Sequence, residues 1–372
     1  MTLSELQAAT GWVLWASFAV ALLFGAVAQH TRFCTMGAIA DIATMDSWSR
    51  MRSWMLAMGT AILGFNGMVA LGWISAANTI YAGSSVLWLS TLAGGALFGV
   101  GMVLASGCAS KNLLRAGAGN LKAVVVLVVV ACSGFATLKG ITAVLRSATV
   151  DRVHANLAGG QDLPSILARL TGLDAADVAG FAGLVIGGLL IAAALVPRDG
   201  RSKESMLGGF GLGALAACAW WISGVLGHVQ EHPETLESVY IATSTHRMEG
   251  FSFVSATAYS LDYLLFFSDA NKFATIGMVS ALGLVLGAMG HAVATRSFRW
   301  ESFRNVDDMR NHLVGGVLMG VGGVTAFGCS IGQGVTGLST LSLSSFMAVS
   351  AMIAGAYAAL RFQLWRTERS LS

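Results

Sequence analysis

The sequence predicts an all-α polytopic membrane protein of about nine transmembrane helices, with an inverted internal repeat and short broken helices meeting at the midplane. Three observations predict it. Of 372 residues, 55% are hydrophobic and only 11% charged, against about 25% charged in a soluble domain, and the mean hydropathy is +0.70. The charges that exist are excluded from long blocks, the longest being the 58 residues Ser53 to Ser110. One apolar stretch is repeated: Leu92 to Cys108 and Leu313 to Cys329 are identical at 11 of 17 positions when aligned without gaps. Forty-six Gly and three Pro suit closely packed membrane helices. No basic run or low-complexity tract is present, which excludes nucleic-acid binding and disorder.

The spans follow from the charge-free blocks, each crossing needing roughly 20 apolar residues. The first lies at 12–29, inside the block Leu6 to Thr31. The first eleven residues hold Glu5 and no Lys or Arg, so the basic region of a cleavable signal is missing and the span is read as retained. The block Ser53 to Ser110 is long enough for two spans, at 53–75 and 88–106. Spans follow at 121–145, 179–196, 206–227 and 273–295. The block Asn311 to Leu360 holds the last two, at 313–327 and 341–361. Those at 88–106 and 313–327 are short and read as half-helices that stop inside the bilayer. A piece at 253–267, interrupted by Asp262, reads as interfacial. The whole of 1–372 forms one transport domain, with halves at 12–145 and 206–361 and an extracytoplasmic loop at 146–178.

Orientation comes from Lys and Arg in short loops. Arg32, Arg50 and Arg52 fall in one, Lys111, Arg115 and Lys122 in the next. Arg198, Arg201 and Lys203, then Arg296, Arg299, Arg304 and Arg310, and the tail with Arg361, Arg366 and Arg369 complete the set. The loop 76–87 has no charge, and 228–255 is acidic, with Glu231, Glu234, Glu237 and Glu249 against Arg247. Nine crossings put every basic loop on one side, with the N-terminus outside and the C-terminus cytoplasmic. The two repeat copies then run in opposite directions, the plan of transporters whose site lies where the copies meet. A looser echo joins Phe24-Gly25-Ala26 and Arg32-Phe33-Cys34 to Leu286-Gly287-Ala288 and Ser297-Phe298-Arg299. It lacks a cysteine and does not invert, so it carries little weight.

Three of the five cysteines sit at breaks in the hydrophobic pattern. Cys34 follows Arg32-Phe33, Cys108 follows Ser106-Gly107, and Cys329 follows Phe327-Gly328. Non-helical backbone at membrane depth survives only where it lines a cavity or is buried in protein. Gly107 and Gly328 let the chain turn and expose N–H groups beside a thiol. Gln333 follows in the same run as Cys329 and is grouped with the supporting residues. Cys132 and Cys218, mid-helix among Val, Ala and Trp, read as packing residues. Lys111 and Arg115 follow Cys108 by three and seven residues, on one helical face. They either draw an anion toward the thiol or anchor the positive-inside loop.

Other chemistries find no support. There is no CxxC, HExxH or helical His pair for a metal and no Walker A motif. A carboxylate relay is not visible either, Asp41 and Asp262 being the only candidates. No enzyme activity and no cofactor is expected.

The segments HTRFCTMGAIAD at 30–41, SGCASKNLLRAGAGNLKA at 106–123 and GGVLMGVGGVTAFGCSIGQGVTGLSTLSL at 315–343 resemble the YeeE/YedE family of sulfur-compound transporters. The resemblance implies an inner-membrane importer of thiosulfate or a related sulfur anion. It implies an hourglass section with two cavities, and contact of the cargo with Cys34, Cys108 and Cys329 in turn. Some relatives work beside a small cytoplasmic sulfurtransferase of the TusA type, which implies such a partner. The commonest form of the family has Gly where Lys111 stands. The thiols, protonated at an ordinary pKa of about 8.5, would act as weak S–H donors that bind and release a divalent anion. The alternative is a membrane sulfurtransferase that relays sulfane sulfur through cysteine persulfides. An anchor subunit of an electron-transfer complex would want haem-ligand histidine pairs, which are missing.

Overall fold

A computed structural model of the chain describes residues 2–371 apart from 158, 232, 234, 235 and 270. Of the acidic loop residues, Glu234 therefore lies outside the described residues.

Helix α1 (Leu3–His30) starts on a reciprocal cap in which Thr2 and Glu5 satisfy each other's backbone N–H. After a break come α2 (Thr35–Met45) and α3 (Ser49–Ala70). Helix α4 (Trp88–Leu104) breaks before α5 (Ala109–Gly117), and α6 (Leu121–Lys139) ends at Gly140, followed by α7 (Ile141–Ala148). Next are α8 (Leu163–Thr171), α9 (Ala175–Leu195), α10 (Lys203–Met206) and α11 (Leu212–Trp221). Helices α10 and α11 are joined and extended by π turns at Leu207–Gly211 and Ile222–Leu226. Finally there are α12 (Phe253–Leu265), α13 (Ile276–Ala294), α14 (Val306–Thr325), a π segment at Gly332–Gly337, and α15 (Leu343–Leu371). Strands are limited to two-residue pairs among the described residues: β1 (Ser85–Val86) with β2 (Ala155–Asn156), and β3 (His228–Val229) with β4 (Val239–Tyr240).

Eight helical stretches of the described residues are long and apolar enough to cross a bilayer. The protein is thus an all-α multi-pass membrane protein. Large apolar side chains such as Trp12, Trp15, Phe181, Leu184 and Leu189 are exposed on its outer helices, as a lipid-facing surface requires. Of the stretch expected at 313–327, residues 326–327 already belong to the turn that follows α14, and 313–325 lie in α14 itself, which is not among the eight. Its first turns carry Asp307, Asp308 and Arg310, and it is charge-free only from Asn311.

Glycine sets the packing. A Cβ on Gly94 would come within 2.5 Å of Ala326 N and 2.8 Å of Gly322 O, and one on Gly101 within 2.8 Å of Gly315 O. Helices α4 and α14 therefore cross backbone to backbone, and they run antiparallel. In the repeat alignment Gly94 matches Gly315, and Gly101 matches Gly322. Each copy's first glycine thus meets the other copy's second. Helix α15 lies parallel to α4, with Gly95 against Ala348 and Gly99 against Met352 and Ala356. Helices α1 and α13 are also parallel, with Gly283 against Phe18 and Gly287 against Leu22 and Ala26.

Three expectations need correction. The span drawn at 121–145 ends at Lys139, because Gly140 leaves the helix. The loop drawn at 146–178 contains α8, capped by Asp162, and it docks on the start of α15 through Leu163 N to Leu341 O and Leu343 N to Gln161 O. The piece at 253–267 is α12, and it packs into the protein against α6 and α13. Its Asp262 is 5% exposed and is held by Lys272 and Lys139 from other elements, so the charge is satisfied inside.

Candidate functional site

Four helices end in the same turn with a side chain, rather than glycine, at its left-handed position. Phe33 N donates to Ala28 O at 3.1 Å, Gly107 N to Met102 O at 2.8 Å, Gly328 N to Gly323 O at 2.8 Å and Ser297 N to Ala292 O at 2.8 Å. This is the six-to-one bond of a Schellman cap, which needs a left-handed residue just before the donor. Those residues are Arg32, Ser106, Phe327 and Arg296, with φ of 52°, 55°, 58° and 55°. Glycine is the usual choice there, and a side chain costs about 1–2 kcal/mol. In three of the four turns the next residue but one is a cysteine: Cys34, Cys108 and Cys329. In the fourth it is Phe298, so the looser echo is a real likeness of backbone without the thiol. The parallel run of α1 and α13 agrees with its failure to invert.

Each cysteine then opens a new helical segment. Cys34 caps α2, its Sγ accepting Gly37 N at 3.3 Å. Cys108 caps α5, with Sγ 3.1 Å from Ser110 Oγ. Cys329 Sγ accepts Gly332 N at 3.3 Å and Phe253 N at 3.5 Å, the second from α12. A sulfur that accepts a backbone N–H keeps its own S–H for another partner. Helix N-termini add partial positive charge without a formal cation. Cys108 and Cys329 are buried in one apolar cluster with Phe24, Phe251 and Phe253. Cys108 is the member both others reach: Cys34 and Cys329 each lie within its electrostatic range. Cys132 and Cys218 are exposed on outer faces and take no part.

The supporting residues divide. Gln333 donates from Nε2 to Ala326 O at 2.5 Å and so latches the turn before Cys329. Gly328 faces it, a Cβ there coming 3.2 Å from Gln333 Cγ. Gly107 holds the matching place, 3.7 Å from Arg115 by the same measure. Lys111 is within electrostatic range of both Cys34 and Cys108, as is Arg115 of Cys34. The sequence reading missed Asn112. Its Nδ2 donates to Gly107 O at 3.0 Å and Cys108 O at 3.1 Å. Carrying the repeat alignment four residues past the cysteines matches Asn112 to Gln333, and that signal would have found it.

Two cavities approach these turns from opposite ends of α6 and α14. One, of about 530 Å3, is lined by Ser106, Asn112 and Arg115 and by Lys122, Arg299 and Arg304. It is basic, although Asp308 pairs with Lys122 at 2.9 Å and with His312 at 3.0 Å. The other, of about 360 Å3, ends on Phe327 and Gly328 beside Cys329. Arg146, Arg247, Glu249, Tyr81 and Tyr259 line it, and burial pushes the Glu249 carboxyl above its usual range. Glu249 and the two arginines are further residues that the sequence reading did not single out. Among the described residues no group of three metal-ligating side chains gathers.

The family model for sulphur transport matches residues 30–358, a stretch that takes in all three cysteine turns. The chain belongs to that family. It is 25% identical over 346 residues to the thiosulfate transporter TsuA of Escherichia coli strain K12, covering 91% of each chain. It is also 25% identical over 353 residues to the thiosulfate transporter TsuA of Spirochaeta thermophila, covering 92% of this chain and 97% of the relative. The expectation of a sulfur-transport family member drawn from the cysteine segments is met.

Proposed function

We propose that this chain imports thiosulfate, or a closely related sulfur anion, across the bacterial cytoplasmic membrane, through a central path closed by the three cysteine turns. The observation that carries the reading is the position of Cys108 and Cys329, buried between two cavities that approach from opposite ends. Membership of the sulphur transport family and two thiosulfate transporters among the relatives supply the cargo.

In this reading the cavity with Arg247 and Glu249 is the outer mouth and the basic one the inner mouth, with the N-terminus outside and the C-terminus in the cytoplasm, as the distribution of Lys and Arg among the loops supports. The antiparallel copies on α4 and α14 form the centre of two inverted halves, at 12–145 and 206–361. The anion enters beside Arg146 and Arg247, passes the S–H of Cys329, Cys108 and Cys34, and leaves toward Lys111, Arg115 and Lys122. Weak donors in series hold it firmly enough to enter and loosely enough to leave. No bond in the cargo changes, so the chain acts as a transporter and not as an enzyme. A small sulfurtransferase would meet the cargo at the inner mouth.

Cys108→Ala and Cys329→Ala should each abolish thiosulfate uptake into proteoliposomes while leaving expression and folding intact. Full transport by both variants would reject the reading. A gain of one sulfur in the intact mass after substrate exposure would favour a persulfide relay instead.

A further inference from the structure

Glu249 is a carboxyl on the route of a divalent anion. Its Oε1 is fully engaged, accepting the N and Oγ of Ser244 at 2.7 and 3.0 Å and the N and Oγ1 of Thr245 at 3.1 and 3.2 Å. Its own N–H donates to Ser223 Oγ at 2.8 Å, so the residue is fixed on both sides. Among the described residues no cation lies within ion-pair distance of it. The second carboxyl oxygen therefore has no cationic partner at the cavity wall.

The groups around it come from every neighbouring element. Arg247 stands two residues away and donates to Thr79 O at 3.3 Å. Arg146 lines the same cavity and pairs with Asp151 at 2.9 Å. Tyr81 from the loop before α4 and Tyr259 from α12 both lie within electrostatic range of Glu249, and Tyr81 also within range of Cys329. Lys139 of α6 sits over the Tyr259 ring and beside Asp262, which Lys272 holds. With Glu249 ionised, the charges of Arg146, Asp151, Arg247 and Glu249 cancel. With it protonated, one positive charge is left facing the cavity. A dianion in a partly dehydrated cavity is repelled by an unpaired carboxylate and attracted by the protonated set.

We propose that Glu249 takes up a proton when a dianion occupies the outer cavity, so that entry is linked to external pH. The step forms one O–H bond on the carboxyl with a proton from outside water, and no electrons move. This rests on the reading of the chain as an importer of a sulfur dianion. Burial already holds the Glu249 carboxyl above its ordinary range, and a bound dianion raises it further. Affinity is therefore highest below the carboxyl's value in the empty cavity. It falls as pH rises, by up to about tenfold per pH unit for one linked proton, until the occupied-site value is passed.

The test is calorimetric titration of the purified full chain with thiosulfate, which stays a dianion, across about pH 5 to 8 in buffers of different ionisation enthalpy. The expected result is binding heat that tracks the buffer, showing about one proton taken up, and affinity that weakens with rising pH. Glu249→Gln keeps the Oε1 acceptor and should bind with a flat pH profile at the tighter level. Glu249→Asp should keep a slope. Buffer-independent heats in the wild type, or an unchanged slope in Glu249→Gln, would overturn the proposal. A parallel titration with sulfate separates it from the choice of cargo. Proton-linked binding of sulfate supports the role of Glu249 even where thiosulfate uptake fails, and binding of neither dianion across the range overturns it.

Discussion

A carboxamide behind each of two buried thiols holds the turn that presents it. Asn112 and Gln333 take up the carbonyls that the broken helices leave open, and Asn112 also lines the basic cavity. Asn112→Ala should cost roughly 1–3 kcal/mol, because the carbonyls of Gly107 and Cys108 lose that donor in a buried place. The measurement is the thermal midpoint in detergent, together with uptake, and an unchanged midpoint with full uptake would remove Asn112 from the site. At this scale the cysteines were readable, since Gly-Cys at a hydrophobic break is a local signal. Glu249 was not, because a carboxylate in an acidic loop has the same composition whether it faces water or a cavity. Only the fold of residues 244–249 around its Oε1 tells the two apart.

At the level of helices, the glycine contacts are the parts that admit no change. Gly94→Val and Gly322→Val each place a side chain against partner backbone at 2.5 Å or a little more. Either should cost about 1–3 kcal/mol or more, since neither backbone can step aside. Gly188 on α9 has nothing within 4 Å of an added Cβ, so Gly188→Ala should be neutral or stabilising by up to about 1 kcal/mol. Thermal unfolding of the three variants in one detergent checks the contrast, and equal shifts would contradict the packing described. The length and order of most spans were readable from charge alone. Helix α12 was misplaced because its Asp262 looks costly until Lys139 and Lys272 are brought to it, and nothing in the local sequence announces partners 123 and 10 residues away.

Taken as a whole, the molecule lines both cavities with cations, Arg146 and Arg247 in one and Arg115, Lys122, Arg299 and Arg304 in the other, and on the proposed path these would draw the anion in. Arg299→Gln and Arg304→Gln at the basic cavity should therefore slow uptake without abolishing it. The loss should shrink as ionic strength rises past about 0.15 M, where the Debye length is near 8 Å. Uptake rates at two salt concentrations test this, and a loss insensitive to salt would mean the arginines act by shape. Two cavities were expected from the family resemblance, but the residues that line them could not be read from the sequence, because the walls draw on residues from Ile80 to Gly328 and from Ser106 to His312.

The crossed glycines of α4 and α14 carry one more consequence. Gly94 and Gly101, like Gly315 and Gly322, are seven residues apart, close to two helical turns. The seam is thus a pair of identical fasteners at fixed spacing. Deleting one residue between the fasteners in either copy leaves only one of them closed and rotates everything beyond it by about 100°. Away from its packed glycines and buried side chains the duplicated stretch is free to change its letters but not its length, and indels there should be lethal to function where substitutions at the exposed Leu97 or Val317 are silent.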